Sequence, residues 1–233
     1  MVMIDCGFGL RETEARLARL CVHAADITAL LVTHEHKDHV SGIFKLARKH
    51  GIPVWLTRGT YEAVSRLCMD LDLHFCRDGV PFACGSFAIT PYTVPHDARE
   101  PVQYTVTGGE VKLGVLTDAG QSTPYLVKIL GGCDALVVEC NHDSAMLAAS
   151  SYPPFLKERI GGKYGHLSNE STGAILAALD RSRLRTVIGA HLSHQNNTPD
   201  LALAALKNAV DLEQTKIVIA CQEEGFAWID IGV

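Results

Sequence analysis

Four apolar residues, Ala29-Leu30-Leu31-Val32, run without a break into Thr33-His34-Glu35-His36-Lys37-Asp38-His39. A short apolar run bounded at once by polar residues reads as a buried strand that ends in a functional loop. Side chains alternate across a strand, so its continuation is expected to present His34, His36 and Asp38 on one side. His39 then falls where the chain turns away. Neutral imidazoles and carboxylates are the ligands of zinc, manganese and iron, and this density of them points to a metal site rather than a polar surface loop.

The spacing His-x-His-x-Asp-His resembles the signature of the metallo-β-lactamase superfamily. The resemblance implies an α/β chain folded as a four-layered αββα sandwich. It also implies a ligand set, with His34 and His36 on a first metal and Asp38 and His39 on a second. A third histidine is implied for the first metal. His96 fits, in Thr93-Val94-Pro95-His96-Asp97 after the strand-like Ser86-Phe87-Ala88-Ile89-Thr90. A carboxylate bridging both metals is implied after a further strand, and Asp118 fits at the end of Val111-Lys112-Leu113-Gly114-Val115-Leu116-Thr117. The last histidine of the second metal closes a late strand, where His191 follows Thr186-Val187-Ile188-Gly189-Ala190. His194 competes for that role, and the strand-end position favours His191. Asp5 is expected to accept an N–H from a ligand imidazole and so to set its tautomer.

Three later segments narrow the resemblance to the YycJ/WalJ group of bacterial metallo-hydrolases, regarded as exonuclease-like. They are Glu139-Cys140-Asn141-His142-Asp143, Gly165-His166-Leu167-Ser168-Asn169 and His191-Leu192-Ser193-His194-Gln195-Asn196-Asn197, together with Asp5-Cys6-Gly7-Phe8 near the start. His142 and His166 sit in polar turns where a side chain can face a cleft. An ordinary imidazole titrates near 6.5, so either is suited to contact a phosphate or to protonate a leaving oxygen. Gly161-Gly162-Lys163-Tyr164-Gly165 lacks the spacing of a nucleotide-binding Walker loop; Lys163 is at most a phosphate contact. Arg181, Arg183 and Arg185 read as a solvated connection. His23, His50 and His74 are expected to be surface or packing residues.

The rest of the chain alternates strands and helices over residues 1–233, which are expected to form a single metallo-β-lactamase-fold domain. Helices are expected at 10–21, 42–50, 60–70, 123–130, 144–150, 169–180 and 199–210. Strands are expected at 2–6, 29–33, 51–56, 73–76, 82–90, 102–107, 111–117, 134–140, 185–190, 215–220 and 226–231. Superfamily domains usually open with a strand hairpin; here the chain starts inside the strand after it, at Met3-Ile4-Asp5-Cys6-Gly7. The resemblance thus implies a chain lacking that first N-terminal hairpin.

With 47% hydrophobic residues the chain can bury a large core. No apolar segment nears the roughly 20 residues needed to cross a bilayer, and no signal peptide opens the sequence, so a cytoplasmic protein without a membrane partner is expected. The eight cysteines are scattered, without a Cys-x-x-Cys pair, and read as reduced and mostly buried. A net charge of −5 offers no basic surface to nucleic acid, although two divalent ions add local positive charge.

The function expected is that of a dinuclear metal-dependent hydrolase, a phosphodiesterase or exonuclease on DNA or another nucleic acid, acting through a metal-bound hydroxide. The cofactors are two divalent ions, zinc or manganese, with iron also suited to these donors. Asp38 would orient the nucleophile, with His142 or His166 acting on the leaving oxygen. The length leaves no room for the clamping domain of larger nucleases, which favours a homo-oligomer, a partner or an open cleft. The alternative is a small-molecule hydrolase of the same fold, acting on a cyclic phosphodiester, lactone or thioester. A metal-binding regulatory protein without turnover is disfavoured by the complete ligand set.

Overall fold

The computed structural model describes residues 1–231. Contacts within the chain gather it into two compact units, Met1–Thr93 with Ala98–Tyr104, and Val94–Asp97 with the chain from Thr105 onward.

The first unit is built on β1 (Val2–Ile4), α1 (Leu10–Arg19), β2 (Ala29–Leu31), α2 (Lys37–Val40), α3 (Ile43–His50), β3 (Val54–Leu56), α4 (Arg58–Val64) and β4 (Leu73–Phe75). The four strands form a parallel sheet in the order β1-β2-β3-β4. β2 is interior, and Ala29, Leu30 and Leu31 are almost wholly buried, as an apolar run without alternation requires when both faces of a parallel strand are covered. Ile43, Leu46 and Ala47 of α3 join Leu30, Val32, Val54 and Leu56 in one core, with Leu10 and Leu17 of α1 packed against it. α3 stops at Gly51, which takes the left-handed φ of 65° that ends a helix without a side-chain clash. β5 (Phe82–Cys84) and β6 (Phe87–Thr93) form an antiparallel hairpin. The single strand expected over 82–90 is therefore two, divided by the turn at Gly85, where φ is +60°.

The second unit takes up β7 (Val102–Gly108) from Thr105 onward. β8 (Val111–Leu116), α5 (Pro124–Leu130), β9 (Ala135–Glu139), α6 (Ser144–Ala149) and α7 (Pro154–Ile160) follow. α8 (Asn169–Ala178), β10 (Thr186–Ala190), α9 (Pro199–Lys207) and β11 (Lys216–Ile219) complete it. Its strands lie in the order β7-β8-β9-β10-β11, antiparallel at the β7–β8 hairpin and parallel thereafter. Thr123, Asp143, Ser168 and Thr198 cap the helices that follow them, each side chain accepting an amide hydrogen of the first turn. The loops after β9 and before α8 lie side by side, with a bridge between His142 and Ser168. Buried amides lock the same loops. Asn169 and Asn197 exchange a pair of 2.9 Å hydrogen bonds, and Asn197 also donates to the Cys140 carbonyl at 2.7 Å.

Two expectations are corrected here. Residues 226–231 form no strand; the chain before them makes only an isolated bridge, Cys221 to Gly225. Conversely, α7 lies where no helix was expected, because Pro154 at its first position pre-sets the helical φ without needing a hydrogen bond. The cysteines are as read, all eight free, with only Cys21 and Cys221 exposed. No described helix is long and apolar enough to cross a membrane.

Candidate metal-ligand clusters

In the first unit β2 ends at Leu31, and the histidine motif occupies the loop and short helix beyond it. Strand alternation therefore does not present His34, His36 and Asp38: His36 precedes α2 as its N-cap, while Asp38 and His39 lie in the helix. The helical turn still gathers the imidazoles. The His34 ring centroid is 4.5 Å from that of His36 and 4.1 Å from that of His39, and His39 Nε2 is 3.6 Å from an Asp38 oxygen.

Asp5 organises this cluster from behind. Its Oδ2 accepts from His39 Nδ1 at 2.8 Å and from the Thr33 hydroxyl at 2.6 Å, and its Oδ1 accepts the Thr33 amide at 2.9 Å. Because the Thr33 hydroxyl donates to Asp5, it accepts from His34 Nδ1, 2.9 Å away. Both histidines thus carry their proton on Nδ1 and offer Nε2 as a lone pair, the form a metal binds. Asp5 accepts an imidazole N–H, as expected, from a left-handed φ of 56°.

In the second unit Asp118 ends the chain segment beyond β8. Three imidazole nitrogens surround its Oδ1: His191 Nε2 and His166 Nδ1 at 3.6 Å, and His96 Nε2 at 3.8 Å. These separations exceed a hydrogen bond and approach the roughly 3.3 Å that ligands about 2.0–2.1 Å from one tetrahedral ion keep between themselves. His96 and His191 turn Nε2 inward because Nδ1 is engaged elsewhere, with the Gly165 carbonyl at 3.1 Å for His96 and with Glu139 for His191. Asp118 and His191 both hold positive φ, 52° and 59°. With Asp5, they make three of the five non-glycine residues in that region among those described. Such backbone is kept where a fold over-determines it, often at functional positions.

Glu139 is the functional residue that motif reasoning passed over. It closes the buried strand β9 at 0% exposure. Its Oε1 accepts Nδ1–H from His191 at 2.7 Å and from His166 at 2.9 Å; its Oε2 accepts the amides of Ala119 and Leu167. Burial pushes its carboxyl up, but the hydrogen bonds from His166 and His191 outweigh burial and hold it well below the usual carboxylate range. Asp118, Glu139, His166 and His191 bring donor atoms within 4.8 Å of one another. Glu139 is nevertheless spent on four N–H groups, two of which fix the rings of His166 and His191. A charged residue ending a wholly apolar strand was the signal available in the sequence.

His166 turns the same nitrogen toward both Glu139 and Asp118, leaving Nε2 directed elsewhere. His142 and His166 line a cavity of about 410 Å³ with Gly120, Ser144, Lys157 and Ser168. His142 is 3% exposed, and burial pushes its imidazole below the usual value; burial does the same to His96 against the opposing pull of Asp118. His194 is exposed and joins none of these groups among the described residues. His23, His50 and His74, expected as surface or packing residues, each meet a neighbour. His23 caps a 3-10 turn, His50 bonds Glu14 at 2.7 Å, and His74 stacks on Trp55. Arg183 pairs with Asp134 at the connection before β10.

The profile of the β-lactamase superfamily domain matches residues 1–191. The chain is 32% identical over 213 residues to Exodeoxyribonuclease YycJ of Bacillus anthracis, covering 90% of this chain and 81% of that protein. It is 31% identical over 212 residues to Exodeoxyribonuclease WalJ of Streptococcus pneumoniae serotype 2, covering 89% and 79%. Among solved structures, the metallo-β-lactamase fold protein YhfI of Bacillus subtilis superposes with a TM-score of 0.73 at 20% identity, covering 97% of this chain and 85% of that one. A diphosphatase of the PhnP family superposes with a TM-score of 0.65 at 16% identity, covering 96% and 76%. The mixed α/β architecture is thus the metallo-β-lactamase fold, and the chain belongs to the β-lactamase superfamily of metal-dependent hydrolases, within its YycJ/WalJ group.

Proposed function

We propose that this chain is a dinuclear phosphodiesterase acting as an exonuclease on DNA. Its metal ligands would be His34, His36, Asp38, His39, His96, Asp118 and His191, assigned by the family pattern. The observation that carries the reading is the bonding of four of these imidazoles. His34, His39, His96 and His191 each have Nδ1 engaged by an oxygen, which makes Nε2 the nitrogen that would bind a metal. Nitrogen and carboxylate donors of this kind suit zinc or manganese, and also iron. Divalent ions bound there supply an acidified water and positive charge for the phosphoryl oxygens.

The chain's own groups do the remainder. Asp38 orients the nucleophile. His142, with Nδ1 3.3 Å from the Asn141 side-chain oxygen, faces the cavity, and on taking a second proton at Nε2 it would be the donor to the leaving oxygen. Glu139 holds the His166 ring so that its other nitrogen meets a substrate oxygen. The relatives named as exodeoxyribonucleases support DNA as the polymer.

The test is metal analysis of the purified protein followed by a substrate panel with zinc and manganese. End-labelled single- and double-stranded DNA and RNA are compared with bis(p-nitrophenyl) phosphate, a lactone and a thioester. Cleavage of DNA from an end is expected. Turnover of the lactone or thioester alone would reject the phosphodiesterase reading in favour of a small-molecule hydrolase.

A further inference from the structure

We infer that Phe155 and Tyr164 form an aromatic platform on which unpaired bases of a single-stranded DNA end stack as the strand leaves the cavity of His142 and His166. The inference rests on the nuclease reading above and adds which form of DNA end the chain holds.

Phe155 and Tyr164 are 71% and 62% exposed, Phe155 being the most exposed large apolar side chain among the described residues. The chain is poor in aromatic residues, at 6%, yet these two lie within ten positions of each other. Leaving a phenyl ring in water forgoes about 2 kcal/mol or more of burial, so two in one short segment need a reason. Both positions are held by bonded structure. Phe155 and Arg159 lie four residues apart on α7 and therefore share a helix face. Arg159 Nε donates to Asp97 Oδ2 at 2.6 Å, and the Asp97 amide donates to the Tyr164 carbonyl at 3.0 Å. This relay ties Phe155 and Tyr164 to the residue that follows His96.

The same segment walls the cavity. Lys157 and Gly161 line it, and His166 lies two residues beyond Tyr164. Gly120, also in the lining, is held against the main chain of Lys163 and Tyr164 so closely that a Cβ there would lie 2.4–2.5 Å from their backbone atoms. Position and charge both select the occupant. Residues 154–165 carry Lys157, Arg159 and Lys163 against Glu158, and with Arg159 paired to Asp97 the two lysines still leave the stretch net cationic in a chain of net charge −5. Exposed aromatic rings interleaved with cations are the elements that bind single-stranded nucleic acid, because every base offers a π face and every linkage a negative charge. A duplex keeps those faces stacked away from the protein, so the platform selects unpaired ends.

The test uses the protein as purified and a fluorescein-labelled dT12 with phosphorothioate linkages, which resist cleavage, beside the same backbone without bases. Phe155→Ala and Tyr164→Ala are each expected to weaken dT12 binding by about 5- to 150-fold, the span that loss of one stacked base gives. Binding of the abasic strand should stay unchanged. Phe155→Tyr and Tyr164→Phe should keep wild-type affinity, and turnover of bis(p-nitrophenyl) phosphate should be unaffected in all four variants. Wild-type dT12 affinity in both alanine variants would overturn the platform. So would equal weakening of dT12 and the abasic strand, or a changed oligomeric state with unchanged binding, which would give the surface to a second copy of the chain. The readouts separate the two readings. Binding that depends on these rings in a protein that cleaves no DNA leaves the platform standing and removes the nuclease assignment. DNA cleavage with ring-independent binding does the reverse.

Discussion

Glu139 Oε1 lies 2.7 Å from His191 Nδ1, at the bottom of a strand end where the carboxylate has no access to water. The pairing gives His191 a fixed tautomer and ring plane, and it keeps an ionised carboxylate in the core because four N–H groups share its charge. Asp5 does the same for His39 in the other unit.

Glu139→Gln keeps the shape of the side chain but removes its charge and replaces one acceptor oxygen with a donor. Metal affinity or turnover should fall about 10- to 100-fold, the usual effect of losing a partner of a ligand histidine. Metal content by mass spectrometry beside kcat checks this. Wild-type values in both would show that His191 needs no orienting charge.

Metal binding and leaving-group chemistry should separate on mutation. His36→Ala or Asp118→Ala should abolish metal loading and activity together. His142→Ala should lower kcat by about 10²–10⁴-fold, the range for loss of a general acid, with metal content intact. A metal-depleted His142→Ala protein would contradict this division.

Stability should fall on the acidic side in part because of His142. Burial holds its imidazole below the ordinary value of 6.5, so folding favours the neutral ring. That contribution is complete above pH 6.5 and is lost as the pH falls from there through the folded-state value. In chelator-treated protein, the drop in Tm between pH 7.5 and 5.5 should be smaller for His142→Gln than for wild type. An identical drop would show that another group carries the effect.

Thiol reactivity should divide two against six. Burial pushes the thiols of Cys76 and Cys133 up to about 11 and that of Cys140 to about 12, so little thiolate forms near neutrality. Cys6, Cys68 and Cys84 are raised by the same cause. A disulfide reagent at pH 8 should titrate Cys21 and Cys221 quickly and all eight only after denaturation. More than two fast thiols would show that the buried ones open readily.

Local chemistry made much of this legible. Apolar runs closed by Asp118 and His191 announced strand ends, and the helices expected over 123–130 and 199–210 begin at Pro124 and Pro199. Where the reading failed, it lacked a non-local term. Alternation was extended through His34 and His36 because the sequence does not display where strand pairing stops. β2 ends at Leu31, and a helical turn does the gathering instead. The Asn169–Asn197 pair was invisible for the same reason: two amides 28 positions apart gain meaning only when buried face to face.

By itself the sequence determined the strand–helix alternation, the family and the candidates for holding metal, because these depend on residue type and spacing. Tertiary structure alone decided which nitrogen each histidine offers, that Glu139 serves two of them, and that His142 and His166 share one cavity. Hydrogen-bond direction, burial and backbone φ at a strand end are set by groups distant in the chain, so no local pattern records them.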